Sequence, residues 1–547
     1  MPVITYEKNE IFNLLGRKLN DKELKLIIDS LKPEVSYIDE REVEVEHFSD
    51  RPDMFGVEGL VRSIKIFLTG RIPEYRSRKY KIKVDVRRVT ARPYIACAVI
   101  RNIKIDESLI KSLMNIQEVL HETWGRKRRK VAIGIHDLDK IVPPITYAAV
   151  KPSETMIPLG WNEEVTLQEV LKKHEKGVKY GDIIKPYKKW PVFIDSKGIF
   201  SFPPIINSER TRVTEKTRNL FVELTGTERK IVEDLLNIVV TNLADRGGVL
   251  ESVKVKYPGF SRITPDLRWK KMKIDLEYVN QMLGMDFSKK DVKKLLKKMG
   301  MKVVFRGNKG VVFIPPYRLD VVHPIDLVED IAIAYGYNNF LPELPNLFTK
   351  GGFEESEVKA SRVRDLMIGL GFQEIIRPTL TNKKHQFEKM NLREEEVVEI
   401  ENPVSQEYTC LRIWVLPSLL EVLSCNKHVE YPQKLFELGE VVKIDLKAEN
   451  RTRMEKKLAC VISDSKIGYE AISSVLEALM MNLKIKYSLK RKDHPSFIPG
   501  RCAAVIVDGK EVGILGEVHP LVLNRWEIEM PVVAFELNIS SILHLLP

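Results

Sequence analysis

The sequence predicts an α+β protein made of several domains. Its 547 residues correspond to three or four domains, at roughly 150 residues for each domain. Apolar residues make up 44% of the chain, which is enough material for several buried cores. Strand-like and helix-like patterns alternate along the chain, separated by short proline- and glycine-containing segments. We find no internal repeat and no low-complexity linker.

The charge balance favours a polyanionic partner. There are 88 Lys and Arg residues against 76 Asp and Glu residues, which gives a formal net charge of +12. An excess of this size is also compatible with a solvated basic surface, so charge by itself indicates a partner only weakly.

Several classes of protein are disfavoured. No run of about 18 apolar residues occurs, so the sequence predicts no membrane-spanning helix. The first residues lack the apolar stretch of a secretory signal. The five cysteines are scattered without a Cys-x-x-Cys pair, which argues against a disulfide framework and a structural zinc site. We therefore expect a cytoplasmic protein with no membrane partner.

The first two blocks are an N-terminal α/β domain, residues 1–81, and a larger domain, residues 82–265. In the first, Asp21 is the predicted N-cap of a helix whose apolar residues begin at Leu24. In the second, strand-like runs alternate with helices, and the clearest helix is predicted over 227–245.

The third block, residues 268–342, is predicted to be a winged-helix-like module. Asp275 caps a short helix, and Ser288 with Asp291 forms a capping box that opens a second one. Two strands then flank residues 306–310, a glycine-containing hairpin turn. Residues 261–300 hold eleven Lys and Arg against five Asp and Glu. This basic helix face could bind nucleic acid, or it could simply be solvated.

The fourth block, residues 345–547, is predicted to be an antiparallel sheet with helices on it. Helices are expected near 357–370 and 469–481, between strands such as 374–377 and 434–438. Residues 507–510 read Val-Asp-Gly-Lys, which is typical of a tight hairpin turn.

A set of four carboxylates is the sharpest chemical signal. Asp326, Glu329 and Asp330 lie at i, i+3 and i+4, which places them on one helical face, and Asp320 precedes them. Oxygen ligands of this kind suit Mg²⁺. The alternative is that acids near a helix N-terminus only interact with the helix dipole.

Three other segments could carry chemistry. Residues 125–130 form a compact basic run that could contact phosphates or be a surface loop. Residues 136–139 place a histidine beside two acids, for which a polar turn is the better interpretation. Residues 203–227 are rich in hydroxyl and amide groups that could bind a polar ligand or form turns. No Ser-His-Asp order, Walker A loop or dinucleotide fingerprint occurs, so we do not expect ATP binding by those routes.

The motifs together resemble the family of phenylalanyl-tRNA synthetase beta subunits, class II aminoacyl-tRNA synthetases of the archaeal and eukaryotic type. The match is specific because several separate motifs occur in the family's order. They are PYRLDVVHPIDLVEDIA at 316–332, YGY at 335–337, residues 120–139 and 203–227, ENPVS at 401–405, Leu411-Arg412, LFELG at 435–439 and LGEVHP at 515–520.

The resemblance implies a subunit of an (αβ)₂ heterotetramer that joins phenylalanine to tRNA(Phe) with ATP. The synthetic site is then expected in the alpha subunit, and residues 345–547 form a non-catalytic class II synthetase-like domain. In agreement, the segment around 499–502 lacks the glycine-rich, arginine-ending motif that would bind ATP. We therefore assign no aminoacylation residue to this chain.

The resemblance also implies two sites. Asp320, Asp326, Glu329 and Asp330 become the ligands of a Mg²⁺ ion shared with the alpha subunit. Residues 82–265 become an editing domain that hydrolyses tyrosine wrongly attached to tRNA(Phe). Glu223 is the first candidate to bind the phenol or to orient water. The full set of editing candidates is Asn207, Ser208, Thr214, Glu223, Thr225 and Gly226.

Two alternative functions remain. A stand-alone aminoacyl-tRNA deacylase would need only residues 82–265 and no partner. A non-enzymatic nucleic-acid-binding scaffold would use the basic winged-helix-like module. The bacterial family form has further domains, and this chain resembles the shorter form, so anticodon contacts are expected from elsewhere.

Overall fold

The computed structural model describes residues 2–545 and divides the chain into two compact units. The first unit extends to Leu344 and the second begins at Pro345. Both units mix helices and sheets, so the predicted α+β multidomain class is confirmed. Within the described residues, no helix is long and apolar enough to cross a membrane.

The first unit opens with a small three-stranded antiparallel sheet and three helices. Asn20, rather than the predicted Asp21, caps the second helix. The Asn20 side chain accepts the Glu23 N–H, and the Glu23 side chain accepts the Asn20 N–H. Asp21 is the first helical residue. The elements are β1 (Val3–Glu7), α1 (Lys8–Leu15), α2 (Asp21–Asp29), β2 (Glu34–Ile38), β3 (Glu42–Glu46) and α3 (Val57–Thr69), with strand order β1-β3-β2.

A ten-stranded mixed sheet follows. Its first strand runs across the predicted boundary at residues 81 and 82. The elements are β4 (Arg78–Val86), β5 (Tyr94–Arg101), α4 (Glu107–Glu122), β6 (Val131–Asp137), β7 (Ile145–Val150), β8 (Thr155–Met156), β9 (Val165–Thr166), α5 (Leu167–Lys173), α6 (Glu175–Tyr180), β10 (Trp190–Asp195), β11 (Gly198–Phe202), β12 (Ile206–Asn207), β13 (Leu220–Gly226), α7 (Arg229–Asp245), β14 (Val249–Tyr257) and β15 (Phe260–Thr264).

The order of strands in this sheet places its two ends close together. The order is β12-β11-β10-β7-β4-β14-β5-β13-β6, with β15 paired to β14, and β8 and β9 form a separate pair. The outermost strands, β12 and β6, approach each other, and the Asn207 amide donates to the carbonyl oxygen of Ile135 at 3.2 Å. The sheet therefore curls until a side chain, rather than a backbone ladder, joins its edges.

Helices α4 and α7 cover one face of the curled sheet. Their apolar residues share one core with the N-terminal sheet and helices, including Leu60, Ile116 and Leu235. Helix α7 begins at Arg229, two residues after the predicted start, because the Thr227 N–H bonds to the carbonyl oxygen of Lys130 instead. Shared burial of this kind makes the N-terminal block and the larger sheet one packed body.

The module after residue 268 has the predicted helix pair and hairpin. Asp275 caps the first helix, and Ser288 with Asp291 forms the predicted capping box of the second. Gly307, with a φ of 61°, lies in the hairpin turn, where a side chain would be strained. The elements are β16 (Lys270–Asp275), α8 (Leu276–Leu283), α9 (Lys289–Lys298), β17 (Lys302–Arg306), β18 (Lys309–Ile314) and α10 (Pro324–Tyr335), with strand order β16-β18-β17.

The second unit is built on a seven-stranded sheet that is antiparallel except for β19, which is parallel to β22. Strand β19 is shorter than the predicted strand. The elements are α11 (Glu355–Gly369), β19 (Gln373–Glu374), β20 (Leu380–Thr381), β21 (Cys410–Leu411), α12 (Leu416–Cys425), β22 (Gln433–Ile444), β23 (Thr452–Ser463), α13 (Tyr469–Asn482), β24 (Ser488–Arg491), β25 (Phe497–Val507), β26 (Lys510–Val518), α14 (Pro520–Trp526), β27 (Val532–Asn538) and α15 (Ile539–Ile542).

The sheet of the second unit has the order β19-β22-β23-β27-β26-β25-β24. The predicted hairpin turn is present between β25 and β26, where Asp508 and Gly509 have φ values of 47° and 75°. Two consecutive positive φ angles are those of the tight turn that matches the twist of paired strands.

Buried charge in the second unit is paired. Arg412 is 2% exposed and its Nη2 lies 2.7 Å from Glu437 Oε1, while its Nε donates to the carbonyl oxygen of Glu440. Burial raises the pKa of Glu437, and the bond to Arg412 opposes that rise. Arg412 resembles an arginine of a class II motif. Its guanidinium is thus occupied by contacts within this chain.

We expect Arg412→Leu to destabilise the second unit by about 3–5 kcal/mol, because it leaves Glu437 buried without its cation. Chemical unfolding followed by tryptophan fluorescence measures this. The double variant Arg412→Leu with Glu437→Leu is the control and should recover much of the loss. Equal unfolding of the single variant and the wild type would show that the ion pair is not needed.

Candidate active site

A cavity of about 180 Å³ lies where the two ends of the ten-stranded sheet meet. Helix α4, strand β6 and the segment from β11 to β12 form its walls. Glu223 and Asn207 of the predicted editing set both line it. Their companions include His121, Arg128 and Ser201.

Glu223 is the buried acid of this cavity. It lies in the middle of β13, where its neighbours across the sheet are Gly134 on β6 and Cys97 on β5, and it is 1% exposed. Its Oε1 accepts the Ser201 hydroxyl at 2.8 Å, and His136 Nε2 lies 3.8 Å from the same oxygen. Its Oε2 has no hydrogen-bond partner among residues 2–545. One oxygen of the carboxyl group is thus held, and the other is left for a ligand.

Gly134 makes this position of Glu223 possible. A Cβ atom at residue 134 would lie 2.2 Å from Glu223 Oε1 and 3.0 Å from His136 Nε2. Any side chain there would therefore displace the carboxyl group. The glycine is required for space, since its backbone has no positive φ.

The Asn207 side chain both joins two strands and lines the cavity. Its Nδ2 donates to Ile135 across the seam between β12 and β6, and its side chain borders the cavity. The predicted pair Asn207 and Glu223 is thus brought together by the curl of the sheet, although 16 residues separate them in the chain.

The other four predicted residues do not border the cavity. The Ser208 hydroxyl donates to the carbonyl oxygen of Ile157 at 2.9 Å. The Thr225 hydroxyl accepts from Arg92 Nε at 2.9 Å, and the Thr214 N–H donates to Thr217. At Gly226 a Cβ would lie 2.3 Å from the carbonyl oxygen of Lys130. Their roles in chemistry remain predictions.

Within the segment 136–139, the side chains of His136 and Asp137 point to opposite faces of the sheet. Side chains alternate along β6, so His136 faces Glu223 and the aromatic core, while Asp137 accepts the Thr217 hydroxyl at 2.8 Å. His136 Nδ1 hydrogen-bonds the Thr211 hydroxyl at 2.9 Å. His136 therefore belongs to the surroundings of Glu223. The interpretation favoured by the sequence, a polar turn, does not predict this position.

The basic run 125–130 contains both exposed and buried side chains. Arg126, Lys127 and Arg128 all have positive φ angles, 47°, 53° and 65°, which form a left-handed turn. The side chains of Arg126 and Lys127 are exposed, but Arg128 is only 5% exposed. Such backbone strain in three successive non-glycine residues is found mainly where function requires it.

Arg128 and His121 form one wall of the cavity. Arg128 Nη1 donates to the carbonyl oxygens of Pro204 and Ile205, at 3.1 and 3.0 Å. Burial, reinforced by the charges of Arg128, Arg92 and Lys176, lowers the pKa of His121 well below its usual value. Sequence reasoning singled out neither residue for catalysis, and neither did it identify Ser201.

The four predicted Mg²⁺ ligands lie in three different environments. Arg318, 1% exposed, donates to both oxygens of Asp320 and, at 2.6 Å, to Asp330. Asp326 accepts the N–H groups of Val322 and His323, at 2.8 and 2.7 Å, as part of a helix cap. Glu329 binds Lys32 Nζ at 2.8 Å.

The pKa values of the two buried acids diverge for physical reasons. Burial opposes the ionisation of Asp320, but the bonds and charge of Arg318 outweigh it and hold the pKa at about 2. Burial raises the pKa of Asp330 to about 6 against the same arginine. The Arg318 guanidinium is bonded to both carboxyl groups, and the charge of Arg51 also favours their ionised forms.

As arranged in this chain, the four carboxyl groups do not fit a Mg²⁺ site. Among residues 2–545, no group of three or more His, Cys, Asp and Glu side chains is placed to hold a metal ion. The shared ion stays a prediction, and binding it with all four residues would require displacement of Arg318.

Comparison with known proteins agrees with this order of domains. Residues 81–237 match the B3/4 domain, residues 272–337 the tRNA synthetase B5 domain, and residues 342–539 the CLM domain of the phenylalanyl tRNA synthetase beta chain. The phenylalanine–tRNA ligase beta subunit of Pyrococcus abyssi is 42% identical over 98% of this chain and 99% of its own length. This chain belongs to the family of phenylalanine–tRNA ligase beta subunits.

Further relatives give the same result. The phenylalanine–tRNA ligase beta subunit of Methanocaldococcus jannaschii is 41% identical over 99% of this chain and all of its own length. A crystal structure of an N-terminal fragment of the Pyrococcus horikoshii phenylalanyl-tRNA synthetase beta subunit is 38% identical. It covers 61% of this chain and 100% of the fragment, with a TM-score of 0.60. The predicted family is confirmed, and the chain is a ligase subunit that serves protein biosynthesis.

We expect Mg²⁺ to leave the thermal unfolding of this isolated chain unchanged, since Arg318 already occupies Asp320 and Asp330 as their shared ion-pair partner. Differential scanning fluorimetry with added Mg²⁺ or EDTA measures this. In Arg318→Met the two carboxyl groups lose their cation, so the chain should be less stable and should gain stability with Mg²⁺. A clear Mg²⁺ effect on the wild type would show that the ion displaces Arg318 without help.

Gly134→Ala should displace Glu223 from its position over β6. We expect the purified complex with the alpha subunit to lose clearance of tyrosyl-tRNA(Phe) by at least about tenfold, because a charged hydrogen bond contributes roughly 1.5–3 kcal/mol. Attachment of phenylalanine should stay unchanged. Gly352→Ala, where a Cβ meets no atom within 4 Å, is the control. Normal clearance by Gly134→Ala would mean that the carboxyl group does not act from this position.

Proposed function

We propose that this chain is the beta subunit of a cytoplasmic (αβ)₂ phenylalanine–tRNA ligase and that its cavity edits mischarged tyrosyl-tRNA(Phe). Membership of the family supports the alpha subunit and tRNA(Phe) as partners. The complex joins phenylalanine to tRNA(Phe) with ATP, and the aminoacylation site is in the alpha subunit. Ligases of this family generally depend on Mg²⁺.

The observation that carries the editing proposal is the unpartnered Oε2 of Glu223. Tyrosine differs from phenylalanine by one hydroxyl group, and an apolar synthetic pocket rejects an added hydroxyl only modestly. A second site that provides an acceptor for that hydroxyl selects the wrong amino acid instead. Glu223 Oε2 accepts a hydrogen bond from the phenolic hydroxyl, and phenylalanine leaves this acceptor unpaired at a cost in binding.

The neighbours of Glu223 fix which of its oxygens is available. The Ser201 hydroxyl holds Oε1 at 2.8 Å, and Gly134 leaves space for the carboxyl group. Asn207 borders the same cavity while its amide closes the seam. The reaction is hydrolysis of the ester between tyrosine and the terminal ribose, with water as the nucleophile.

The second unit supports an assembly role rather than a synthetic one. Its Arg412, which resembles an arginine of a class II motif, is buried and bonded to Glu437 and Glu440, so it does not present its guanidinium to a nucleotide. A sheet-and-helix domain of this kind can supply an interface with a homologous subunit.

We expect Glu223→Ala to lower hydrolysis of tyrosyl-tRNA(Phe) by the complex at least about tenfold, because the phenol loses its hydrogen-bond acceptor. The rate of release of labelled tyrosine measures this. Glu228→Gln, an exposed residue near the same strand that binds Lys130, is the matched control and should hydrolyse normally. Undiminished hydrolysis by Glu223→Ala would overturn the assignment of the site.

Phenylalanine-dependent ATP–pyrophosphate exchange tests the division of labour. The chain alone should be inactive, and the chain purified with its alpha subunit should be active. Activity of the chain alone would contradict the placement of the synthetic site. Inactivity of a proven complex, with tyrosine still cleared, would favour the alternative of a stand-alone deacylase.

A further inference from the structure

Two hydrogen-bond donors in the wall of the cavity have no acceptor. Arg128 Nε and His121 Nδ1 are buried, and neither has a partner in the described part of the chain. Both residues border the cavity that contains Glu223. Buried donors are almost always satisfied in folded proteins, so two unpaired donors beside one cavity indicate a ligand with an acceptor atom.

The tautomer of His121 follows from its second ring nitrogen. The backbone N–H of Ile133 donates to His121 Nε2 at 2.8 Å. Because a backbone amide only donates, Nε2 carries no hydrogen, and the hydrogen of the neutral ring is on Nδ1. The positive charges of Arg128, Arg92 and Lys176 around the buried ring also keep it neutral. His121 therefore offers one fixed N–H donor.

A backbone hydrogen bond links the two residues that carry these donors. The Arg128 N–H donates to the carbonyl oxygen of His121 at 3.2 Å, and the left-handed turn at 126–128 makes this bond possible. Both terminal nitrogens of the guanidinium are engaged, Nη1 with Pro204 and Ile205 and Nη2 with Glu118. Nε is the nitrogen of this guanidinium without a partner among residues 2–545, and the anchored guanidinium fixes the direction of its N–H.

We propose that His121 Nδ1–H and Arg128 Nε–H bind the carbonyl oxygen of the tyrosyl ester and stabilise the negative charge that forms on it. The proposal rests on the editing function proposed above and adds the groups that act on the reacting atoms. Glu223 recognises the phenol, and the donor pair acts on the ester. Paired N–H donors aimed at such an oxygen are the usual means of stabilising this transition state.

The step balances as follows. The oxygen of water bonds to the carbonyl carbon and its proton passes to the surrounding solvent, while the carbonyl π electrons move onto the oxygen, which becomes an anion bound by the two donors. The carbonyl group then re-forms as the bond from carbon to the ribose oxygen breaks. The ribose oxygen takes up a proton from solvent, and tyrosine leaves with its new carboxyl group. Arg128 stays charged throughout, and His121 stays neutral.

Two tyrosine analogues on a terminal adenosine separate charge stabilisation from substrate binding. One carries an amide in place of the ester, with a neutral carbonyl group. The other carries a tetrahedral phosphonate with an anionic oxygen. Binding of each to the full complex with the alpha subunit is measured by calorimetry. The wild type should bind the phosphonate much more tightly, because it resembles the transition state.

The variants are chosen to keep the fold. His121→Gln keeps a carbonyl oxygen that can accept the Ile133 N–H, and Arg128→Lys keeps the charge without Nε–H. Each should lose roughly 100-fold in phosphonate binding and in the rate of hydrolysis, with amide binding within about threefold of the wild type. Gln117→Leu is the matched control. Gln117 borders the same cavity one helical turn earlier, but its amide already donates to Ile133.

Each outcome supports or overturns one of the two proposals. A preference for the phosphonate that survives in His121→Gln and Arg128→Lys would overturn the donor pair. An equal loss of both analogues would also overturn it, since that is the effect of structural damage. If the wild type fails to bind the amide analogue, or Glu223→Ala binds it as well as the wild type, then the proposed editing function itself fails.

Discussion

The burial of the Glu223 carboxyl group inside the curled sheet is the constraint on which the rest of the site depends. A carboxyl group so enclosed requires a space to lie in and polar neighbours to hold it. Gly134 provides the space, and Ser201 binds one oxygen. The seam between β12 and β6, closed by Asn207, then provides the cavity through which the second oxygen can meet a ligand.

Buried charge has two different meanings in this protein. Arg318 and Arg412 form salt bridges with buried carboxyl groups. Each arginine also donates to a backbone carbonyl oxygen. Such groups stabilise packing only as long as their partners remain. Around the cavity, Glu223, His121 and Arg128 each retain an atom without a partner among the residues that the structure describes. Glu437, the partner of Arg412, also keeps one oxygen without a hydrogen bond among residues 2–545. The candidate active site differs because its three unpartnered atoms belong to residues that line one cavity.

Much of the fold was predictable because its signals are local. The capping box of Ser288 and Asp291, the cap at Asp275 and the turn at 507–510 each depend on residues a few positions apart. The misplaced cap at Asp21 shows the limit of such reasoning, since Asn20 and Asp21 both favour a cap and only the geometry chooses between them. In the site, Glu223 and Asn207 were predicted through the family resemblance, whereas Ser201, His121 and Arg128 carry no local signal for catalysis.

The sequence by itself determined the family, the order of the domains and the helices and hairpins, because these follow from motifs and from the periodicity of apolar residues. Only the tertiary structure decided which side chains meet. The curl of the sheet brings Asn207 to Ile135, and a left-handed turn sends Arg128 inward while its neighbours stay in solvent. Likewise, the acidic residues Asp320 and Asp330 meet Arg318 instead of each other. Contacts between residues distant in the chain depend on backbone paths, which residue spacing does not encode.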